Sequence, residues 1–286
     1  MNPFKKQTAK ILRSLNIPIG DLYKDFRFEG DFTFRYKNKK LRLHHHASTT
    51  IENEIFWKGM GKGWEKVSVD CWTTLCENAS VILDIGANTG LYGALAKKFN
   101  PSAKVFCFEP AVETFERLKQ TVSLNELEIS CVPLALSNHN GTAEFFDFNQ
   151  PHQYSASLSP LFSAGQDDVK KYSVQTKTLS SFINEEKLER IDLMKIDVEL
   201  HEPEVLEGMG EYLQKFRPII LIEILTDEMG ERIESLLPPS EYNFYEIDEV
   251  HHPRKSDTIK KSSGYNYIMM PKEKLNQLKR FDLSSK

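Results

Sequence analysis

Cysteine is scarce: Cys71, Cys76, Cys107 and Cys131 are the only four in 286 residues. Their spacing makes neither a CxxC metal knuckle nor the dense framework of a disulfide-stapled secreted domain. Cys107 and Cys131 fall inside apolar runs, where they read as small buried hydrophobes. The compartment this implies is a reducing cytoplasm. Charge of one sign is missing as well. The 37 Lys and Arg stand against 41 Asp and Glu, a net of −4, so no basic field argues for a nucleic-acid partner. Long hydrophobic runs are also absent. Ile219–Leu225, the longest, is broken by Glu223 and falls far short of the roughly 18 residues a membrane span needs. The opening MNPFKKQTAKILRSL is charged throughout and has no apolar signal-peptide core.

A hydrophobic fraction of 40% and a charged fraction of 27% are those of a globular chain, long enough for one large α/β domain with an extension. Residues 1–78 read as that extension. It has an amphipathic helix over 1–18, a hairpin of Asp31–Tyr36 with Leu41–His45, a polar segment, and a helix over Lys66–Cys76. Phe32, Phe34 and Tyr36 share one face of the hairpin, with Leu41, Leu43 and His45 opposite them. Consecutive histidines on a strand point to opposite faces, so His44-His45-His46 reads as solvated or substrate-lining rather than as a metal run.

Over 79–286 strands alternate with helices: Val81–Ile85, Val105–Phe108, Ile129–Leu136, Ile191–Asp197 and Ile219–Ile224 are apolar strands, with an excursion at 139–178. Two closing strands, Asn243–Ile247 and Tyr265–Met270, have no helix between them and suggest an antiparallel edge. The fold class is therefore α/β: a Rossmann-like, mostly parallel seven-stranded sheet with helices on both faces. Such sheets bind ligands outside the strand carboxyl ends, at the switch in strand order.

The first strand ends in Asp84-Ile85-Gly86-Ala87-Asn88-Thr89-Gly90. Gly86 permits a sharp turn and Gly90 a close backbone approach. A dinucleotide fingerprint needs glycine where Asn88 stands, and Asp84 repels phosphate, which disfavours a nicotinamide cofactor. A zwitterionic amino acid carrying a sulfonium suits this acidic strand end and helix start. Glu109 follows 23 residues after Gly86 at the end of the second strand, where an acidic side chain accepts both hydrogen bonds of a ribose diol. Together these point to S-adenosylmethionine (SAM) as cofactor, held by Asp84, Gly86, Ala87, Asn88, Thr89, Gly90 and Glu109, with Ser137 after the third strand and Glu65 reaching from the extension.

VILDIGANTGLYG, FCFEP, LALSNHNGTAEF, TLSSFI and LMKIDVELHEPEVLEG with RPIILIEI resemble, in this order, the FkbM family of methyltransferases. The resemblance covers roughly residues 60–225. It implies the class I methyltransferase fold, SAM as donor and O-methylation of a hydroxyl on a carbohydrate or glycosylated small molecule. One position departs from the pattern. Leu200 stands where the family usually has glycine after DVE. Leucine does not readily take φ > 0, so either the turn changes or the acceptor pocket is reshaped.

Methyl transfer to an alcohol is an in-line displacement that needs a general base near the hydroxyl. Asp197, Glu199 and His201 cluster at the end of the fourth strand and are the expected catalytic residues, with Lys195, Glu202 and Glu223 close by. On a continuing strand Lys195, Asp197 and Glu199 share one face, where Lys195 and Glu199 can pair. The same cluster has divalent-metal ligand types, but no metal site is assigned. Two alternatives stay open: an N- or C-methyltransferase, and a SAM-binding protein with impaired catalysis. The basic loop around His251, His252, Arg254, Lys255, Lys260 and Lys261 reads as solvated.

Overall fold

The computed structural model describes residues 3–15, 23–24, 26–148, 156–163, 169–278 and 281. Residues 1–2 and 16–18 of the expected first helix, and 149–155 and 164–168 of the excursion, lie outside the described residues. The chain begins with α1 (Pro3–Ser14), the hairpin β1 (Gly30–Tyr36) and β2 (Lys39–His45), then α2 (Thr50–Lys58) and α3 (Lys66–Cys76). The hairpin pairs Phe32 with Leu43 and Phe34 with Leu41, which puts the alternate aromatic and aliphatic side chains on one buried face. The polar segment after it contains α2. Ile51 and Ile55 have helical spacing, but the helix also buries Glu52 and Asn53, and that polar content hides it in the sequence.

The alternating part follows as β3 (Val81–Ile85), α4 (Leu91–Phe99), β4 (Lys104–Phe108), α5 (Val112–Leu124) and β5 (Ser130–Val132). β6 (Ala135–Leu136) follows, and the excursion supplies β7 (Gly141–Phe148), β8 (Ala156–Ser157) and β9 (Val169–Lys177). Then come α6 (Leu179–Glu185), β10 (Leu193–Ile196), α7 (Glu202–Glu207), α8 (Glu211–Phe216), β11 (Ile219–Glu223), α9 (Asp227–Leu236), β12 (Tyr242–Ile247), β13 (Arg254–Ser256) and β14 (Asn266–Pro271).

The main sheet has the order β13-β12-β14-β11-β10-β3-β4-β5. Its five strands from β11 to β5 are parallel, and β14 and β12 continue it antiparallel. The seven expected strands are joined by an eighth, the short edge strand β13. The expected third strand is two pieces, because Pro133 lacks the N–H that a ladder needs. Beyond it β6 leaves for a second sheet of order β6-β9-β7-β8. Neighbouring β3 residues face opposite cores. Ile82 joins Phe32, Phe34, Trp72 and Leu95 on the side covered by the hairpin, α3 and α4. Leu83 and Ile85 join Phe106, Phe182, Leu206 and Ile233 on the side covered by α6, α7 and α9. The aromatic hairpin thus covers one face of the sheet, each fully buried side chain contributing about 1.5–3 kcal/mol.

The start of α3 is held from far away. Glu65 occupies its N-cap position at φ +42 and makes no side-chain cap bond. Instead Glu249, after β12, accepts hydrogen bonds from the amides of Val67 at 2.8 Å and Ser68 at 3.3 Å, and from the Ser68 hydroxyl.

Candidate active site

The carboxyl ends of β3, β4, β10 and β11 open into one cavity of about 280 Å³. Its wall includes Asp84, Gly86, Ala87, Asn88, Thr89 and Glu109 from the first two strand ends, and Asp197, Glu199 and His201 from the fourth. Ile51, Trp64 and Glu65 line it from the segment ahead of β3, and Phe145, Asp147, Ala156 and Leu158 from the excursion. Two expected cofactor residues do not line it. Gly90, at φ +83, packs against α5: a Cβ there would lie 2.4 Å from Leu118 Cδ1, so its missing side chain makes room for that helix. Ser137 is fully buried, behind His201, 3.0 Å from the imidazole Nε2.

Gly86 has φ +77, and a Cβ on it would sit 1.8 Å from the Asp197 carbonyl oxygen. The glycine lets the β3 turn meet the end of β10, which brings the two halves of the cavity together. Asn88 follows at φ +49, and its amide donates to Glu109 Oε2 at 3.0 Å while the Ala111 amide donates to Oε1 at 2.9 Å. Burial outweighs these bonds and raises Glu109 to about 7. Asp84 accepts from the Gly93 amide at 2.8 Å through Oδ2, whereas its buried Oδ1 has no partner. Burial raises it to about 6. Thr89 donates to Glu52 Oε1 at 2.7 Å, a contact between α2 and the β3 turn that sequence reasoning missed.

The fourth strand differs from expectation. It ends at Ile196, and Asp197–Leu200 form a turn in which Glu199 and Leu200 stand at φ +57 and +74. Lys195 therefore pairs with Asp197, at 2.6 Å, and not with Glu199. Its ammonium also sits over the Tyr92 ring, 4.6 Å from the centroid, and the Tyr92 hydroxyl donates to Glu65. Burial raises the Glu65 carboxyl to about 7, against the opposing pull of Lys195. Leu200 takes a backbone that its side chain disfavours, at a strain of about 1–2 kcal/mol. Two features hold it there: the Ser157 hydroxyl donates to the carbonyls of Val198 and Glu199, and the leucine side chain packs on the core of that face. Burial lowers the His201 pKa. Burial and the nearby Asp197, Glu199 and Glu202 carboxylates raise Glu223 far above the usual range. The three neighbouring histidines 44–46 do not line this cavity, contrary to their substrate-lining reading.

A family model of the methyltransferase FkbM domain matches residues 84–249, more than half of the chain. The chain belongs to the FkbM methyltransferase family. As an FkbM member it is a SAM-dependent methyltransferase. It is 28% identical over 225 residues to methyltransferase sdnD of Sordaria araneosa, a match covering 68% of this chain and 84% of that one. It is 30% identical over 148 residues to the 2-O-methyltransferase NoeI of Sinorhizobium fredii, covering 48% and 60%. With the hexuronic acid methyltransferase AglP of Haloferax volcanii it shares 31% over 153 residues, covering 52% and 57%. The match thus spans less than two thirds of NoeI and of AglP. No helix among the described residues is long and apolar enough to cross a membrane.

Proposed function

We propose that the cavity binds SAM along the β3 turn and that the enzyme methylates a sugar hydroxyl held by Asp197, Glu199 and His201. The observation that carries this reading is the Glu109 carboxylate. It stands at the end of β4 in the cavity wall, fixed by two backbone amides, and a carboxylate retains lone pairs for a diol. The partnerless Asp84 Oδ1 and the carboxyl of Glu65 add acceptors for a cationic amino-acid end. When bound, the cofactor supplies an electrophilic methyl group on a sulfonium.

The remaining work falls to the chain. His201, neutral at pH 7 because burial depresses its pKa, is the proton acceptor for the hydroxyl, and Ser137 orients its ring. Asp197, anchored by Lys195, accepts a hydrogen bond from the same sugar. Glu223 keeps its proton at neutral pH and is a donor there, not a base. Lys195 is the only Lys or Arg among the described lining residues, beside carboxylates from several elements, which favours an uncharged acceptor over an anionic one. The name of NoeI supports O-methylation, and that of AglP, a hexuronic acid methyltransferase, supports carbohydrate as the class.

The test is transfer of labelled methyl from SAM to neutral glycosides and uronic acids. Neutral glycosides are expected to be methylated, and His201→Ala to lower turnover about 10²–10⁴-fold with SAM affinity unchanged. Label found only on amines or carbon, or full turnover in that variant, would overturn the reading.

A further inference from the structure

Outside the cavity, one group of side chains among the described residues is arranged like a metal centre. Glu29 lies just before β1, and His44 and His46 lie at the end of β2 on the same face of the hairpin, with ring centroids 4.6 Å apart. His45 points the other way, where it is fully buried and bonded to Asn53 at 3.0 Å. Glu29 Oε1 is 3.0 Å from His44 Nε2 and 3.7 Å from His46 Nδ1, and one ligand atom of each residue lies within 4.8 Å of the others. Four-coordinate zinc with bonds of about 2.0–2.1 Å sets its ligand atoms roughly 3.3 Å apart. Two of the three edges already straddle that value.

The surroundings fit as well. The Ala47 amide donates to Glu29 Oε2 at 3.1 Å, which leaves Oε1 turned toward the imidazoles. His44 Nδ1 lies 2.6 Å from Asp31 Oδ1. With the proton on Nδ1, the carboxylate fixes the tautomer and ring orientation and leaves Nε2 as a lone-pair donor, the carboxylate–histidine–metal arrangement. Arg117, a cation acting on His46, is itself paired with Glu113. Two imidazoles and one carboxylate suit zinc, cobalt or nickel; calcium and magnesium prefer oxygen-only sets.

We propose that Glu29, His44 and His46 bind a divalent transition metal, with Asp31 orienting His44 and water completing the coordination. Bound there, the ion clips the segment entering β1 to the end of β2. The opposite face of β2 contacts α2 through His45 and Asn53, and the same helix holds Thr89 of the cofactor turn through Glu52. The site is structural and independent of the acceptor reading.

The test uses the chain of 286 residues without a tag, stripped with EDTA and titrated with Co²⁺ alone. One Co²⁺ per chain with visible absorption of a four- or five-coordinate ion is expected, displaced by Zn²⁺ but not by millimolar Mg²⁺ or Ca²⁺. Zn²⁺ at 100 times its Kd should raise the Tm by about 5 °C. His44→Ala and His46→Ala should abolish binding, Asp31→Ala should weaken it about 10–100-fold, and the distant His251→Ala should leave it intact. Should His44→Ala lose the native circular dichroism, His44→Gln serves in its place. Absence of stoichiometric uptake, or uptake that survives loss of both His44 and His46, overturns the site.

Discussion

Lys195→Met tests the electrostatic design of the cavity. The ammonium is buried, with its side chain 7% exposed, and 2.6 Å from Asp197. Asp84 and Glu65 also act on it and hold its pKa up against burial. Methionine fills the stem's volume and removes the charge. Breaking a buried pair from one side costs about 3–5 kcal/mol, because the remaining charge loses its counterion. Here the cost depends on pH. Glu65 and Asp84, raised to about 7 and 6, are largely protonated at pH 5.5, so less negative charge is left uncompensated there. At pH 8.5 both are ionised in the parent and rely on Lys195. Urea unfolding at the two pH values should therefore show the destabilisation near the full 3–5 kcal/mol at pH 8.5 and clearly smaller at pH 5.5, with unchanged m. Equal losses at both pH values, or a loss below about 1 kcal/mol at pH 8.5, would refute the reasoning.

Glu109→Gln should weaken SAM binding at least about tenfold, since hydrogen bonds to a charged acceptor contribute about 1.5–3 kcal/mol each; unchanged affinity by calorimetry would remove Glu109 from the ribose site. The ligand-free chain should lose stability from pH 7 to pH 9. Glu65 and Glu109 are raised to about 7 and Glu202 to about 8; such groups stabilise the fold while protonated, fully below their unfolded values near 4, and the contribution fades as pH rises through the folded values. Burial lowers the pKa of His45, His46 and His201, and what they add with rising pH is mostly gained below pH 7; a Tm that stays level or climbs from pH 7 to 9 contradicts this. Gly86→Ala should cost about 3 kcal/mol or more and abolish activity, because the new methyl meets a backbone oxygen that cannot rotate away; near-native melting would show that the β3 turn can shift.

Parts of the architecture were legible where local pattern and tertiary environment agree. The apolar run Val81–Ile85 and the helix Lys66–Cys76 match their observed bounds, since both bury most of their residues. The Phe/Tyr and Leu alternation of the hairpin also placed the correct side chains on its buried face. What stayed hidden depends on partners distant in sequence. Glu52 is buried because Thr89 bonds it, and α2 reads as polar for that reason. The strand read through Asp197 ends instead at Ile196, and the left-handed turn after it is held by the Ser157 hydroxyl, about 40 residues upstream by the spacing of those bonds, and by the packing of Leu200, so that Lys195 pairs with Asp197. Steric preference alone argued against φ > 0 at Leu200, and packing overrode it.

The cap on α3 also imposes an order in time. A chain made from its amino end at about 5–20 residues per second completes Val67 and Ser68 some 182 and 181 residues before Glu249. The first turn of α3 therefore waits roughly 10–40 s with its leading amides uncapped. Until then Glu65 has no fixed helix start from which to reach Tyr92, and the wall it contributes is unfinished. Glu249 stands in the left-handed region at φ +59, just past β12, and in the folded chain β12 is fixed beside β14. Nascent chains arrested short of residue 249 should hold α3 with a frayed start, and the cavity becomes competent for ligand only as the last strands arrive.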